Sequence, residues 1–211
     1  GGFSGGTIAS LMATLESSKR DPSIVKTLAD PFALTPGFKG PAQPSGEKIE
    51  HDSIAGQWAA PFIMATINTK NVHRTNFLLG HPYGTDFKYD EMLLTSAGEL
   101  GEKAAHAVGE LLKNPFGAKP PKPGEGPTPE ERENGFYDVL FIGEYPDGTQ
   151  VRASVQGDKD PGYGSTSKMI AESALTLLET DTPGGVVTPG AIIAQPLLER
   201  LVAHAGLTFG V

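Results

Sequence analysis

The chain has 211 residues, enough for one ordinary domain or two small ones with a buried core, which excludes a miniprotein stapled by disulfides or metals. Seventeen Lys and Arg against 25 Asp and Glu give a net charge of −8, which excludes a general affinity for nucleic acid or anionic membrane in the absence of a local basic patch. Zero cysteine excludes disulfides, thiol nucleophiles, iron–sulfur clusters and thiolate zinc sites, and fits a reducing compartment.

The chain opens on Gly1-Gly2-Phe3-Ser4 with no basic or apolar leader and reads as a piece of a longer protein. Residues 1–6 form a glycine-rich loop, and residues 7–17 carry Ile8, Leu11, Met12 and Leu15 at the spacing of one helix face. From 30 to 46, alternating prolines and glycines deny both helix and sheet hydrogen bonding. The apolar run 58–67 is interrupted at Pro61 and Thr66 and is far short of the roughly 20 residues that span a bilayer, so no transmembrane segment is expected. A helix over 72–79 would stop at Gly80. Residues 87–95 read as a strand, and Leu100, Ala104, Val108 and Leu111 mark a helix ending near Asn114.

Six prolines between 114 and 134 exclude regular structure over most of that segment. Residues 136–144 and 149–156, joined by Tyr145-Pro146-Asp147-Gly148, are the clearest hairpin. A second Gly/Ser loop, 162–167, feeds a helix over 168–178 with Met169, Ile170, Ala174 and Leu177 on one side. A turn-rich stretch, a helix over 191–203 and a short strand over 207–211 close the chain. Strands and helices without a strict βαβ rhythm predict an α+β fold, with a mixed, largely antiparallel sheet, flanking helices and long Pro/Gly-rich loops.

Three junctions place small hydroxyl residues and glycines before a helix: residues 4–7, 164–167 and 188–190. Helix-start amides attract anions, although N-capping is the plainer reading of each. No G-x-G-x-x-G turn, Walker loop or G-x-S-x-G elbow occurs, and the five histidines never fall at ligand spacing, so no metal site is expected. The window 158–168, DKDPGYGSTSK, is the densest in acid, base and donor groups. Tyr163 is its candidate proton donor, Lys168 its cation and Asp160 its orienting carboxylate; the plainer reading is an acidic turn and a capped helix. Trp58, Phe62, Ile63, Met64 and Phe77 are candidates for an apolar pocket, with His73 and Arg74 beside them; core packing and a solvated surface are the alternatives.

The strings SGGTIAS (4–10), GHPYGTDFKYDEM (80–92), PKPGEGPTPEERENGF (121–136), GDKDPGYGSTSKMIAESAL (157–175) and GGVVTPGAIIAQPLLERL (184–201) occur in this order. Together they resemble the saccharopine dehydrogenase-like oxidoreductases and, more closely, the branch that includes trans-acting enoyl reductases. The resemblance implies a C-terminal substrate and dimerisation domain, residues 1–211, of a protein whose N-terminal Rossmann domain is absent here and holds most of the NADP or NAD. Ser165 and Thr166 are then candidate cofactor contacts. The resemblance further implies a small-molecule or acyl-chain substrate, a homodimer and a cytoplasmic protein at most peripheral to membrane or lipid. It implies a parent oxidoreductase of which this portion alone is inactive. An acidic acyl carrier would dock on Lys19, Arg20, Lys70, His73 or Arg74, for which ordinary solvated surface is the plainer reading. The competing expectations are a non-catalytic lipid-associated or interaction protein and an autonomous phosphate-ligand module.

Overall fold

The computed structural model describes residues 2–117 and 119–211; Gly1 of the expected opening loop and Ala118 of the proline-rich segment lie outside the described residues. The chain divides into two compact units, Gly1–Leu11 with Pro120–Val211, and Met12–Lys119. The expected α+β class is found, with one antiparallel three-stranded sheet in each unit and helices beside it.

The unit Met12–Lys119 takes in the second half of helix α1 (Gly5–Arg20) and a short helix α2 (Pro22–Ala29). Asp21 caps α2 by accepting from the Ser23 amide, and Pro22 supplies a preset φ at the first helical position. Strand β1 (Glu50–Asp52) pairs with β2 (Gln57–Pro61), which pairs with β3 (Met92–Leu94). Helix α3 (Ala65–Leu78) follows β2, and helix α4 (Gly98–Leu112) packs on β2.

Two expectations are corrected in this unit. The helix expected over 72–79 begins at Ala65, because β2 ends at Pro61 and leaves the rest of the apolar run free to wind. Its stop is as expected: Gly80 has φ +78°, its amide donates to Phe77 and that of His81 to Asn76, closing the last turn. The strand expected over 87–95 shrinks to β3, because the side chain of Gln43 takes the place of a neighbouring strand. Its amide donates to the Phe87 carbonyl at 3.2 Å, and its oxygen accepts from the Tyr89 amide at 2.9 Å. In α4 the row beginning at Leu100 does not face the core. Leu100 is 77% exposed, and Gly101 and Ala105 are the buried positions; a Cβ at Gly101 would strike the Ser96 carbonyl at 1.6 Å.

The core of this unit is partly polar. Asn76 is buried, donating to the Gly84 carbonyl and accepting from the Tyr83 amide, both at 2.9 Å, and so holds the turn after α3. His73 is 3% exposed between Phe32 and Phe87, with ring centroids at 4.5 and 5.8 Å, and its Nε2 finds no hydrogen-bond partner among the described residues.

In the other unit, β4 (Tyr137–Glu144) and β5 (Gln150–Gly157) form the expected hairpin, and β6 (Leu207–Gly210) pairs antiparallel with β5. The turn closes through the Asp147 carboxylate on the Thr149 amide and Gly148 at φ +84°. A short helix α5 (Pro129–Asn134) starts in a reciprocal cap between Thr128 and Glu131, and α6 (Gly164–Glu179) follows the hairpin. The helix expected over 191–203 is split at the buried Ile193 into α7 (Pro189–Ile192) and α8 (Ala194–His204). Helix α6 packs on α8.

Two measurements check this account. Asn76→Ala leaves the Tyr83 amide and Gly84 carbonyl unpaired, so urea unfolding should show a loss of about 1–3 kcal/mol. Burial holds the His73 imidazole below its ordinary range. The unfolded chain therefore binds the proton first, and the contribution of His73 is complete above about pH 6.5 and lost as the pH falls below it. His73→Phe, which keeps a packed ring, should flatten this part of the stability–pH curve; an unchanged slope would contradict the assignment.

Candidate active site

The densest window of the sequence folds around one buried carboxylate. Asp160 is 1% exposed at the start of α6, where its Oδ2 accepts from the amides of Tyr163 at 2.7 Å and Gly164 at 3.2 Å. Burial opposes the charge, but the amides of Tyr163, Gly164 and Gly162 prevail and hold the carboxyl below its ordinary value. The Asp160 amide donates to the Arg132 carbonyl and its own carbonyl accepts from Ser165, so the backbone is pinned on both sides. Gly135 lies against it: a Cβ there would come within 2.6 Å of the Asp160 Cα.

This cap moves the helix start. The loop expected over 162–167 is already the first turn of α6 from Gly164, with Ser167 donating to the Gly164 carbonyl and Thr166 to that of Pro161. Ser165 is fully buried, its hydroxyl 3.0 Å from that of Tyr137. Thr166 is exposed.

Held at the head of α6, the half-buried Tyr163 places its hydroxyl at the head of α1. The Ser4 amide donates to it at 2.7 Å, and the Thr7 hydroxyl lies 2.9 Å away. Ser4 Oγ is 3.1 Å from Thr7 Oγ1 and accepts from the Thr7 amide, so a phenol and two aliphatic hydroxyls form one connected chain. Partial burial opposes ionisation of the phenol, but the bonds from Ser4 and Thr7 bring it below the ordinary tyrosine value. The loop over 122–126 backs this arrangement. The Gly5 amide donates to the Glu125 carbonyl, and a Cβ at Gly5 would collide with the Lys122 carbonyl at 1.8 Å, so only glycine fits.

Lys168 is not placed on Tyr163 by any bond of this network; its ammonium pairs with Asp158 at 3.0 Å. The charged members of the window are thus engaged with partners in the fold, and the Tyr163 hydroxyl is bonded to the Ser4 amide and the Thr7 hydroxyl. Ser4 and Thr7, read in the sequence as a helix start, are the hydrogen-bond partners of Tyr163 that local reading missed.

The remaining candidates lie in the unit Met12–Lys119. Trp58 sits on β2 with its ring edge-on to His51 at 5.9 Å and its carbonyl accepting from Thr95. Phe62 and Ile63 are exposed in the turn before α3, and Met64 is half-buried at its head. His73 belongs to the aromatic core. Arg74 donates to the Leu34 carbonyl at 2.8 Å and lies 5.9 Å over the Phe77 ring.

Among the described residues no cluster of three or more His, Cys, Asp or Glu side chains is placed to hold a metal ion, and no helix is long and apolar enough to cross a membrane. A dinucleotide is gripped by a glycine-rich turn between a parallel strand and a helix. Both sheets here are antiparallel, and a Cβ at Gly5, Gly135 or Gly164 would strike packed backbone, so these residues do not fit a dinucleotide cradle. A cleft of about 320 Å³ opens at the other end of α6, lined by Leu177, Thr182, Pro183, Val187, Ile192 and Ile193 among others.

No protein-family model matches the chain, and no solved structure gives a significant match. Curated proteins do. A Mycobacterium tuberculosis (strain ATCC 25618 / H37Rv) protein, whose name carries trans-acting enoyl reductase as a provisional assignment, is 35% identical over 231 aligned residues, covering 96% of this chain and 55% of the relative. The trans-acting enoyl reductases of Mycobacterium ulcerans (strain Agy99) and Mycobacterium bovis (strain BCG / Pasteur 1173P2) are each 29% identical, covering 94% and 98% of this chain and 54% and 56% of their own lengths. The chain spans about half the length of the curated relatives it matches, and over nearly all of its own length it is similar to proteins named trans-acting enoyl reductase.

Proposed function

We propose that these 211 residues are the C-terminal, substrate-side portion of a saccharopine dehydrogenase-like, NAD(P)-dependent enoyl reductase, with the dinucleotide held by a part of the protein outside this chain. The similarity to the enoyl reductases supports the reaction class. The observation that carries the chemistry is the Tyr163 hydroxyl, held by the Ser4 amide and joined to Thr7. The parent is a cytoplasmic homodimer on this reading.

Reducing an enoyl double bond adds hydride at one carbon and a proton at its neighbour; the hydride is what the nicotinamide supplies when bound. Tyr163 delivers the proton. Its O–H bond breaks, the hydrogen passes to the carbanionic α-carbon of the acyl substrate, and the phenolate left behind is stabilised by the Ser4 amide and Thr7 hydroxyl. A proton from water returns through the Ser4 and Thr7 hydroxyls. Asp160 positions Tyr163 by holding its amide, and the Lys168–Asp158 pair braces the same loop. Thr166, exposed on the first turn of α6, is the candidate for cofactor contact, since the Ser165 hydroxyl faces Tyr137.

The engagement of Asp160 and Lys168 in structural bonds favours a second reading, a non-catalytic lipid-associated or interaction protein that keeps the fold. Kinetics separate the two. In the longer protein, with NADPH and 2-enoyl thioesters, Tyr163→Phe should lower kcat by about 10²–10⁴-fold while NADPH affinity is retained; an unchanged kcat removes Tyr163 from the reaction. Because the acid must be protonated, kcat should fall as pH rises through the Tyr163 pKa. That limb should lie below the ordinary tyrosine value of about 10 and vanish in Tyr163→Phe.

A further inference from the structure

An amphipathic helix ordinarily turns its apolar stripe to the core and its polar face to water. Helix α6 is arranged the other way round. Ser165 and Thr176 are buried, and Glu172 and Glu179 both accept from Arg200 of α8, at 2.9 and 3.0 Å. Between the exposed Ser167 and Glu179 the outward positions are apolar: Ile170 is 69% and Leu178 83% exposed, and Ala171, Ala174, Leu175 and Leu177 are exposed with them. No charged side chain interrupts this row, because Glu172 is turned toward Arg200. Leu177 also lines the cleft beside α7, so the row ends in a socket.

We infer that this face of α6 seats the part of the polypeptide that lies outside these 211 residues, an inference that rests on the reading of the chain as one portion of a longer reductase. A little under half of the length of each relative lies outside the match, while the match covers nearly all of this chain. That remainder needs a surface to pack on, and the face offers an uncharged aliphatic one. The complementary surface is aliphatic too, with one side chain entering the socket at Leu177. A membrane surface fits less well, since interfacial helices flank their apolar face with free cations, whereas Lys168 is paired with Asp158 and Glu179 and Asp181 stand at the far end. A covalently tethered part gains from its high effective concentration, an advantage that a free second copy lacks.

The test uses the longer polypeptide with Ile170→Asp and Leu178→Asp together, and a milder pair, Ile170→Ser and Leu178→Ser, in case the first pair fails to fold. Calorimetric unfolding and limited proteolysis are read. The expected result is a split of one unfolding transition into two and cleavage between the two parts at least about tenfold faster. Unchanged or raised stability, as on a solvent face, overturns the inference. So does loss of a subunit with the transition intact, which assigns the face to a second copy, or a raised Michaelis constant alone, which assigns it to the acyl chain. Split transitions in a protein whose unsubstituted form reduces no enoyl thioester would sink the enzymatic reading and leave this inference standing.

Discussion

The buried carboxylate of Asp160 is the constraint on which the unit of β4, β5 and β6 depends. A charge taken out of water must be met by hydrogen bonds, and here the opening amides of α6 meet it. Those amides would otherwise be unsatisfied at the helix start, so one side chain settles two deficits at once. The consequence is geometric. Tyr163 is fixed at the head of the helix, and its hydroxyl reaches Ser4 and Thr7, more than 150 residues earlier in the chain.

How much of this was legible in the sequence depended on how local the cause was. The hairpin around Gly148 and the last strand follow from turn chemistry and periodicity and are where those patterns put them, and the helix of 7–17 is found extended, from Gly5 inside the expected opening loop to Arg20. The strand expected over 87–95 failed for a non-local reason: a glutamine from residue 43 satisfies the backbone that a strand would have paired. The window 158–168 stood out for its density of polar groups, but density does not reveal partners. Nothing local announces that Tyr163 will meet the amide of Ser4, or that Lys168 will pair with Asp158.

Helix α6 shows a different limit. The spacing of Met169, Ile170, Ala174 and Leu177 correctly marks a helix with an apolar side. It cannot say whose core that side belongs to. Within this chain Ile170, Ala174 and Leu177 of that side are exposed, while Met169 is half-buried beside Tyr137 and Glu172 pairs with Arg200 of α8, so periodicity marked the element and not its orientation. A helix inverted in this way makes sense as one half of a larger packing arrangement. It agrees with relatives that are nearly twice as long.

The central claim is a division of labour, with proton chemistry on this chain and the dinucleotide elsewhere in the protein. The most direct measurement is a calorimetric titration of NADPH into the 211-residue chain beside the same titration into the longer polypeptide. Stoichiometric binding by the longer polypeptide and none by the 211 residues is the expected result. Binding of NADPH by the 211 residues alone would contradict the division and place the cofactor at the Gly/Ser junctions around Tyr163.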